Sequence, residues 1–287
     1  MSSISNILFP VDFSPSSFAM APYVKRAAIL AGAKVSLIHV FDPASYNGFE
    51  LYLRAVPEIA VEHQNIARDR LDSFLPNEFP ASECPRILVA GDAATQIAHT
   101  ARNGFDLIIM PTHSGFFRRM LLGSTTAKVL NDADCPMLTS MHAETIAPRP
   151  PEHREWLCAV GLGHDSERVL RFAHKMSKEA RANLTIIHAI QSEDAISPVR
   201  LNLEEQVQSA ERHEAHQHIA DLQKRVGVDL PVHIVVGTVK EALVEAARQT
   251  DADVMFIGRS PQSGALGRLR DLTYTMVRDS PFPVLSV

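Results

Sequence analysis

Apolar residues along this chain gather in short runs of strand length, separated by longer stretches with helical spacing. In the first half the runs are ILFPV (7–11), VSLIHVF (35–41), RILVAG (86–91), DLIIM (106–110) and CPMLTS (135–140). Runs of this kind, without strict alternation, fit strands buried on both faces. Helical patterns fill the gaps. One opens at Ser14-Pro15, an N-cap followed by proline at the first helical position. Others cover 57–75, TQIAHTAR after the third run, and a stretch starting at Ser124. Strands alternating with helices predict an α/β unit whose five-stranded parallel sheet is covered on both faces. Right-handed crossovers then restrict it to a doubly wound topology.

The pattern occurs twice. Residues 8–40 align without gaps on 157–189, and 106–140 on 253–287. Leu8 falls on Leu157, Val11 on Val160, His39 on His188, Thr126 on Thr273 and Asp132 on Asp279. Identity is low, but order and spacing agree at both ends of the repeat, as expected for tandem copies of one unit. The predicted organisation is a domain over 1–140, a linker over 141–153 and a second domain over 154–287. Pro148, Pro150 and Pro151 favour an extended, semi-rigid linker.

Composition adds exclusions. Of 287 residues 46% are apolar and 21% charged, enough for each half to bury a core. The formal charge of −5 is shared evenly between the halves, so the basic footprint of a nucleic-acid binder is missing. No apolar run approaches the ~20 residues of a membrane helix. MSSISNILFPVDFS has neither the basic nor the apolar region of a signal peptide. Cys84, Cys135 and Cys158 lack metal or redox spacing. The expectation is a soluble, cytoplasmic protein without nucleic-acid or membrane partners.

In an open parallel sheet, ligands bind beyond the carboxyl ends of the strands, where the strand order reverses. The residues leaving strands one and four are therefore the candidates. The first strand ends in Pro10-Val11-Asp12-Phe13-Ser14. The fourth leads through Met110, Pro111, Thr112, His113, Ser114 and Gly115 to Gly123, Ser124 and Thr125. That second stretch suits an anion. Its small residues let backbone N–H groups converge, and Gly123-Ser124 opens a helix whose N-terminus carries partial positive charge.

VDFS after strand one and THSGFFRRMLLGSTTAKVLNDADCP after strand four resemble the universal stress protein family. Because both units carry the pattern, the whole chain resembles a tandem member. The resemblance implies an adenine nucleotide alpha hydrolase-like fold. In nucleotide-binding members, Gly-x-x-Gly, nine residues and Gly-Ser/Thr hold the ATP phosphates. An Asp ending strand one and a Val ending strand two flank the adenosine. Asp12, Val40 and Gly123-Ser124 match those positions, and Thr125 follows. Pro111 and Ser114 stand at the first two glycine positions, only eight residues (115–122) precede Gly123, and Gly115 supplies flexibility one place late. Pro111 has no N–H to donate. Arg118 or Arg119 could reach phosphates or lie in solvent.

The second unit departs further. Gly161 replaces Asp12, and its loop runs from Gly258-Arg259-Ser260-Pro261 to Arg270-Asp271. Asp271 would cap the helix itself and repel phosphate, with Arg259, Arg268 and Arg270 as partial compensation.

Other candidates read more simply. Glu211, His213, Glu214, His216 and His218 lie on one predicted helix, but HEAH is not the HExxH of a zinc protease, so a solvated face is the better reading. His39 and His188 hold equivalent strand-two ends, which suggests a shared packing role. His113 stands between a phosphate contact and a solvated loop. Asp12 has two readings: a metal-holding group beside ATP, or the ordinary end of a strand. No nucleophile elbow or P-loop is present, so no enzyme is expected.

The functional expectation is a stress-response protein acting by ligand binding and protein interaction. Weak ATP binding, with any Mg²⁺ arriving with ATP, is confined to the first domain. The alternative is an interaction scaffold with both nucleotide pockets inactive. The apolar last strands, CPMLTS and FPVLSV, are edge strands in the resembling fold and invite partnering. They predict intramolecular pairing of the two domains, which a linker spanning roughly 40 Å when extended would permit. A homodimer is expected by analogy.

Overall fold

The computed structural model describes residues 4–41, 57–112, 122–163, 165–191, 201–259 and 272–287. The chain divides into two compact units, Met1–Pro151 and Glu152–Val287.

The first unit runs β1 (Asn6–Pro10), α1 (Pro15–Ala31), β2 (Lys34–Phe41), α2 (Pro57–Asp72), β3 (Arg86–Ala90), α3 (Ala93–Ala101), β4 (Leu107–Pro111), α4 (Ser124–Asp132) and β5 (Met137–Ser140). Its strands pair in parallel in the order β3-β2-β1-β4-β5. The chain crosses the sheet one way through α1 and α2, then the other way through α3 and α4. Right-handed crossovers therefore place the two helix pairs on opposite faces. This is why the inner strands read as unbroken apolar runs: every residue of β4 is buried, whereas β3 is half-buried along its length and exposed at its end.

The second unit repeats the plan with β6 (Glu155–Ala159), α5 (Ser166–Ala180), β7 (Asn183–Gln191), α6 (Leu201–Val226), β8 (Val232–Gly237), α7 (Val239–Gln249), β9 (Val254–Ile257), α8 (Leu272–Asp279) and β10 (Val284–Ser286). Its parallel order is β8-β7-β6-β9-β10. In both units the order reverses between the first and fourth strands.

Local chemistry explains the element ends. Ser14 is the N-cap of α1, with Pro15 at the first helical position and the Ser14 side chain accepting from the Ser17 N–H. Gly32 ends α1 in the left-handed region at φ 63, and the equivalent Arg181 ends α5 there at φ 53. The α2 helix stops at Asp72, short of the predicted residue 75. Beyond it, Arg86 at the start of β3 donates to the carbonyls of Leu71, Phe74 (3.2 Å) and Phe79 (2.7 Å). One guanidinium thus satisfies the carbonyls that the ending helix and its turn leave open.

Residues after β5 do not simply extend. A turn follows, with the Ile146 N–H bonded to the His142 carbonyl at 2.8 Å. It is fastened to α1 by Ser16 Oγ donating to Glu144 and by Tyr23 Oη donating to the Ile146 carbonyl at 2.6 Å.

Candidate functional site

At the carboxyl end of the first sheet lies a cavity of about 140 Å³. The residues lining it include Pro10, Val11, Asp12, Val40, Met110, Gly123, Ser124 and Thr125, all candidates from the sequence. His113, Ser114 and Gly115, with Arg118 and Arg119, lie outside the described residues. Ser17, His39, Ala93, Ile97 and Thr126 also line it, and the sequence reading assigned none of them a place there.

The floor of this site is a fork between β1 and β2. Leu37 N–H bonds to the Pro85 carbonyl and Gly91 N–H to that of Phe41, so odd-numbered residues of β2 pair with β3 and even-numbered ones face β1. The Ile38 carbonyl accepts from the Val11 N–H at 2.8 Å. Val40 would come next. Its natural acceptor, the Val11 carbonyl, is instead held by His39 Nδ1 at 2.7 Å. Because a carbonyl only accepts, Nδ1 carries the proton. Among the described residues, the Val40 N–H and C=O are left without hydrogen bonds, a donor beside an acceptor at the cavity wall. Burial holds the His39 imidazole below the usual histidine range, partly opposed by its bond to Val11.

Phe13 shields this histidine. Its backbone takes φ 61, unusual for a bulky residue, and its ring centroid lies 4.3 Å from that of His39. The Arg70 guanidinium sits 4.5 Å above the Phe13 ring.

Asp12 takes the second of the two roles the sequence left open, ending the strand in a turn. Its Oδ1 accepts from Ser14 N–H (3.0 Å), Ser14 Oγ (2.5 Å) and Ser17 Oγ (2.5 Å), closing the turn into α1. Three donors on one oxygen fix the carboxylate, while Oδ2 has no bond among the described residues. Those residues contain no group of three or more metal-ligating side chains. A cation here would therefore depend on ligands brought by its companion, as Mg²⁺ does on nucleotide phosphates.

The opposite wall is the start of α4. Gly123 is its N-cap, no side chain caps it, and the first turn contains no acid. The Gly123 N–H bonds to the Thr112 carbonyl at 2.8 Å, and Thr126 Oγ1 donates to the Pro111 carbonyl at 3.0 Å. These bonds pin the helix end against β4. The N–H groups of Ser124, Thr125 and Thr126 stay available to an anion. Pro111 is the last residue of β4, not a loop residue, so its missing N–H leaves the helix end intact. The buried Thr112 Oγ1 has no hydrogen-bond partner among the described residues.

The second unit reproduces the frame with different contents. His188 Nδ1 lies 2.8 Å from the Val160 carbonyl, Val160 N–H donates to Ile187, and Thr273 Oγ1 donates to the Gly258 carbonyl at 2.6 Å. Leu162 takes φ 58 where Phe13 takes 61. The cavity is larger, about 370 Å³. Among the described residues, Gly161, in place of Asp12, has no atom within 4 Å of where a Cβ would stand. Ser260, Pro261, Arg268, Arg270 and Asp271 lie outside the described residues. The histidine stretch is on α6, where His213, His216 and His218 are exposed.

The model of the universal stress protein family matches residues 3–140 and again 154–287. The chain is similar to universal stress protein A homolog 2 of Coxiella burnetii, with 29% identity over 142 residues, 48% of this chain and 95% of that protein. Its fold matches a universal stress protein from Archaeoglobus fulgidus at a TM-score of 0.66 and 23% identity, over 100% of this chain and 98% of the other. A universal stress protein structure from Pseudomonas aeruginosa matches at 0.61 and 20% identity, over 99% and 93%.

Proposed function

The chain belongs to the universal stress protein family, and on that footing we propose that its first unit binds an adenine nucleotide, weakly, and signals by binding without turnover. The observation that carries this reading is the uncapped, acid-free start of α4 facing Asp12 and the open backbone groups of Val40 across one cavity. The base edge meets a donor and an acceptor on Val40. The ribose lies by Asp12, and the phosphates lie over Gly123, Ser124 and Thr125. Each charge-assisted hydrogen bond to phosphate contributes about 1.5–3 kcal/mol, so a shortened loop that displaces one donor weakens binding about tenfold or more without abolishing it. A volume of about 140 Å³ is small against the ~300–1,000 Å³ of pockets that enclose their ligands, so the nucleotide is held partly in the open.

Titration calorimetry of the full chain with Mg·ATP tests the reading. Wild type is expected to bind one equivalent weakly. Gly123→Asp, which puts a carboxylate at the helix start, is expected to lose that binding. Equal affinity in both proteins would refute the assignment. Absence of binding in wild type would favour the second reading, supported by the small cavity, of an interaction scaffold with a silent pocket.

A further inference from the structure

We propose that strand β8, the outer edge of the second unit's sheet, docks a second copy of this chain by antiparallel pairing of β8 with β8. The proposal does not depend on nucleotide binding. It also uses a different edge from β5 and β10, where the sequence predicts pairing within the chain.

Open backbone is the first observation. The β8 strand (Val232–Gly237) ends the order β8-β7-β6-β9-β10 and, among the described residues, pairs only with β7. Ile186 N–H bonds to the Pro231 carbonyl at 2.8 Å, which fixes the alternation along the ladder. His233 and Val235 therefore turn their N–H and C=O groups to β7, while those of Val232, Ile234 and Val236 point away from it. Every residue of the strand is half-buried, so the row stays within reach of solvent. Donors and acceptors that recur at every second residue match another extended strand.

Missing protection is the second. Sheet edges are ordinarily blunted by charges, proline or a bulge. Leu37 pairs with Arg86 and Ile186 with Val232, and Leu37 falls on Ile186 in the repeat. The outward residues Arg86, Leu88 and Ala90 of β3 thus correspond to Val232, Ile234 and Val236. The first unit guards its edge with cations: Arg86 opens the strand, and Arg68 donates to the outward Arg86 carbonyl at 3.2 Å. In the second unit valine replaces Arg86. The buried spacing Ala67, Leu71, Phe74 recurs as Ala215, Ile219, Leu222, which sets His216 where Arg68 stands. All three outward residues of β8 are β-branched, and the strand contains no Lys, Arg, Asp, Glu or Pro.

Self-complementarity identifies the occupant. The outward residues read Val, Ile, Val in either direction. A two-fold axis at Ile234 sets Ile234 opposite Ile234 and Val232 opposite Val236, so each open N–H of one copy meets an open C=O of the other. β-Branched side chains then face one another across the pair. Charge does not oppose this, because no charged residue lies between Asp229 and Lys240 and no like charges are brought opposite each other. A strand of this length spans only about 20 Å, short of the ~800 Å² per partner of a standard interface, so the dimer is weak and forms at about 100 μM protein and above.

Residue-resolved hydrogen exchange on the full chain, at about 10 μM and about 500 μM protein, tests the pairing, with sedimentation velocity over the same range. The amides of Val232, Ile234 and Val236 are expected to slow severalfold at the higher concentration, while those of His233 and Val235 keep their rates. Ile234→Pro removes an outward N–H without touching the ladder to β7 and is expected to stay monomeric throughout. Ile234→Lys serves as the second variant should proline unfold the strand. Leu88→Pro, at the matching place in the first unit, is expected to dimerise like wild type. A wild type that stays monomeric at 500 μM would overturn the proposal. So would a dimer that survives in a folded Ile234 variant, or concentration-dependent protection that misses 232, 234 and 236. Should neither variant fold, the alternation of exchange along β8 in wild type decides alone.

Discussion

His39 reaches back across the fork to Val11, placing its Nδ1 2.7 Å from the carbonyl oxygen of that residue. The bond takes the acceptor that β2 would use to continue its ladder, and so opens the strand end into a site. It also makes the first unit sensitive to acid. Burial lowers the folded-state pKa of His39 below its unfolded value of about 6.5. The unfolded chain therefore binds the proton first. Stability from this group is fully present above about pH 6.5, is lost as pH falls through the folded pKa, and is flat below it. Urea unfolding between pH 7.5 and 5 should show a steeper loss for wild type than for His39→Gln. Parallel loss in both would assign the acid sensitivity to another group.

Arg86 is the expected weak point of the β3 edge. Its guanidinium serves the carbonyls of Leu71, Phe74 and Phe79. Leaving part-buried acceptors unsatisfied costs about 1–3 kcal/mol each, and relaxation with water entry offsets part of the sum. Arg86→Ala should destabilise the protein by about 2–4 kcal/mol in equilibrium urea unfolding. A loss below about 0.5 kcal/mol would mean that water replaces the side chain at no cost.

The three cysteines should differ sharply toward a thiol reagent. Cys158 lies wholly buried in β6, where burial pushes its thiol up to about 12, and burial also raises that of Cys84. Cys135 is half-buried. Only the thiolate reacts, so mass spectrometry after brief labelling of the folded protein at pH 8 should find modification at Cys135 first. Early labelling of Cys158 would contradict the packing of β6.

Tyr23 should govern how firmly the segment after β5 is fastened. Its hydroxyl holds the Ile146 carbonyl at 2.6 Å, and burial raises its pKa against the opposing effects of Ser140 and Arg26. Tyr23→Phe removes one hydrogen bond, worth about 1 kcal/mol. Amide exchange over 142–147 should quicken severalfold while β1 and β4 stay protected. Unchanged exchange there would show that Ser16 and Glu144 suffice to hold the segment.

Repeat, strand positions and helix starts were legible in the sequence because they rest on local causes. Continuous apolar runs mark strands buried on two faces, and Ser14-Pro15 and Gly123-Ser124 state helix starts by their own chemistry. Asp12 and Gly123 could be named from their positions after strands one and four, since a parallel sheet gathers those ends at one edge, whereas Val40 was named by the family resemblance. What the sequence could not rank was the two cavities. Loss of Asp12's counterpart makes the second unit look impaired, yet its cavity is the larger of the two. Nor could it reveal that His39 and His188 unzip their strand ends, because that depends on a side chain meeting a carbonyl 28 residues earlier. Local pattern decides which elements form. Which backbone groups stay open, and how much room surrounds them, is decided only when those elements pack.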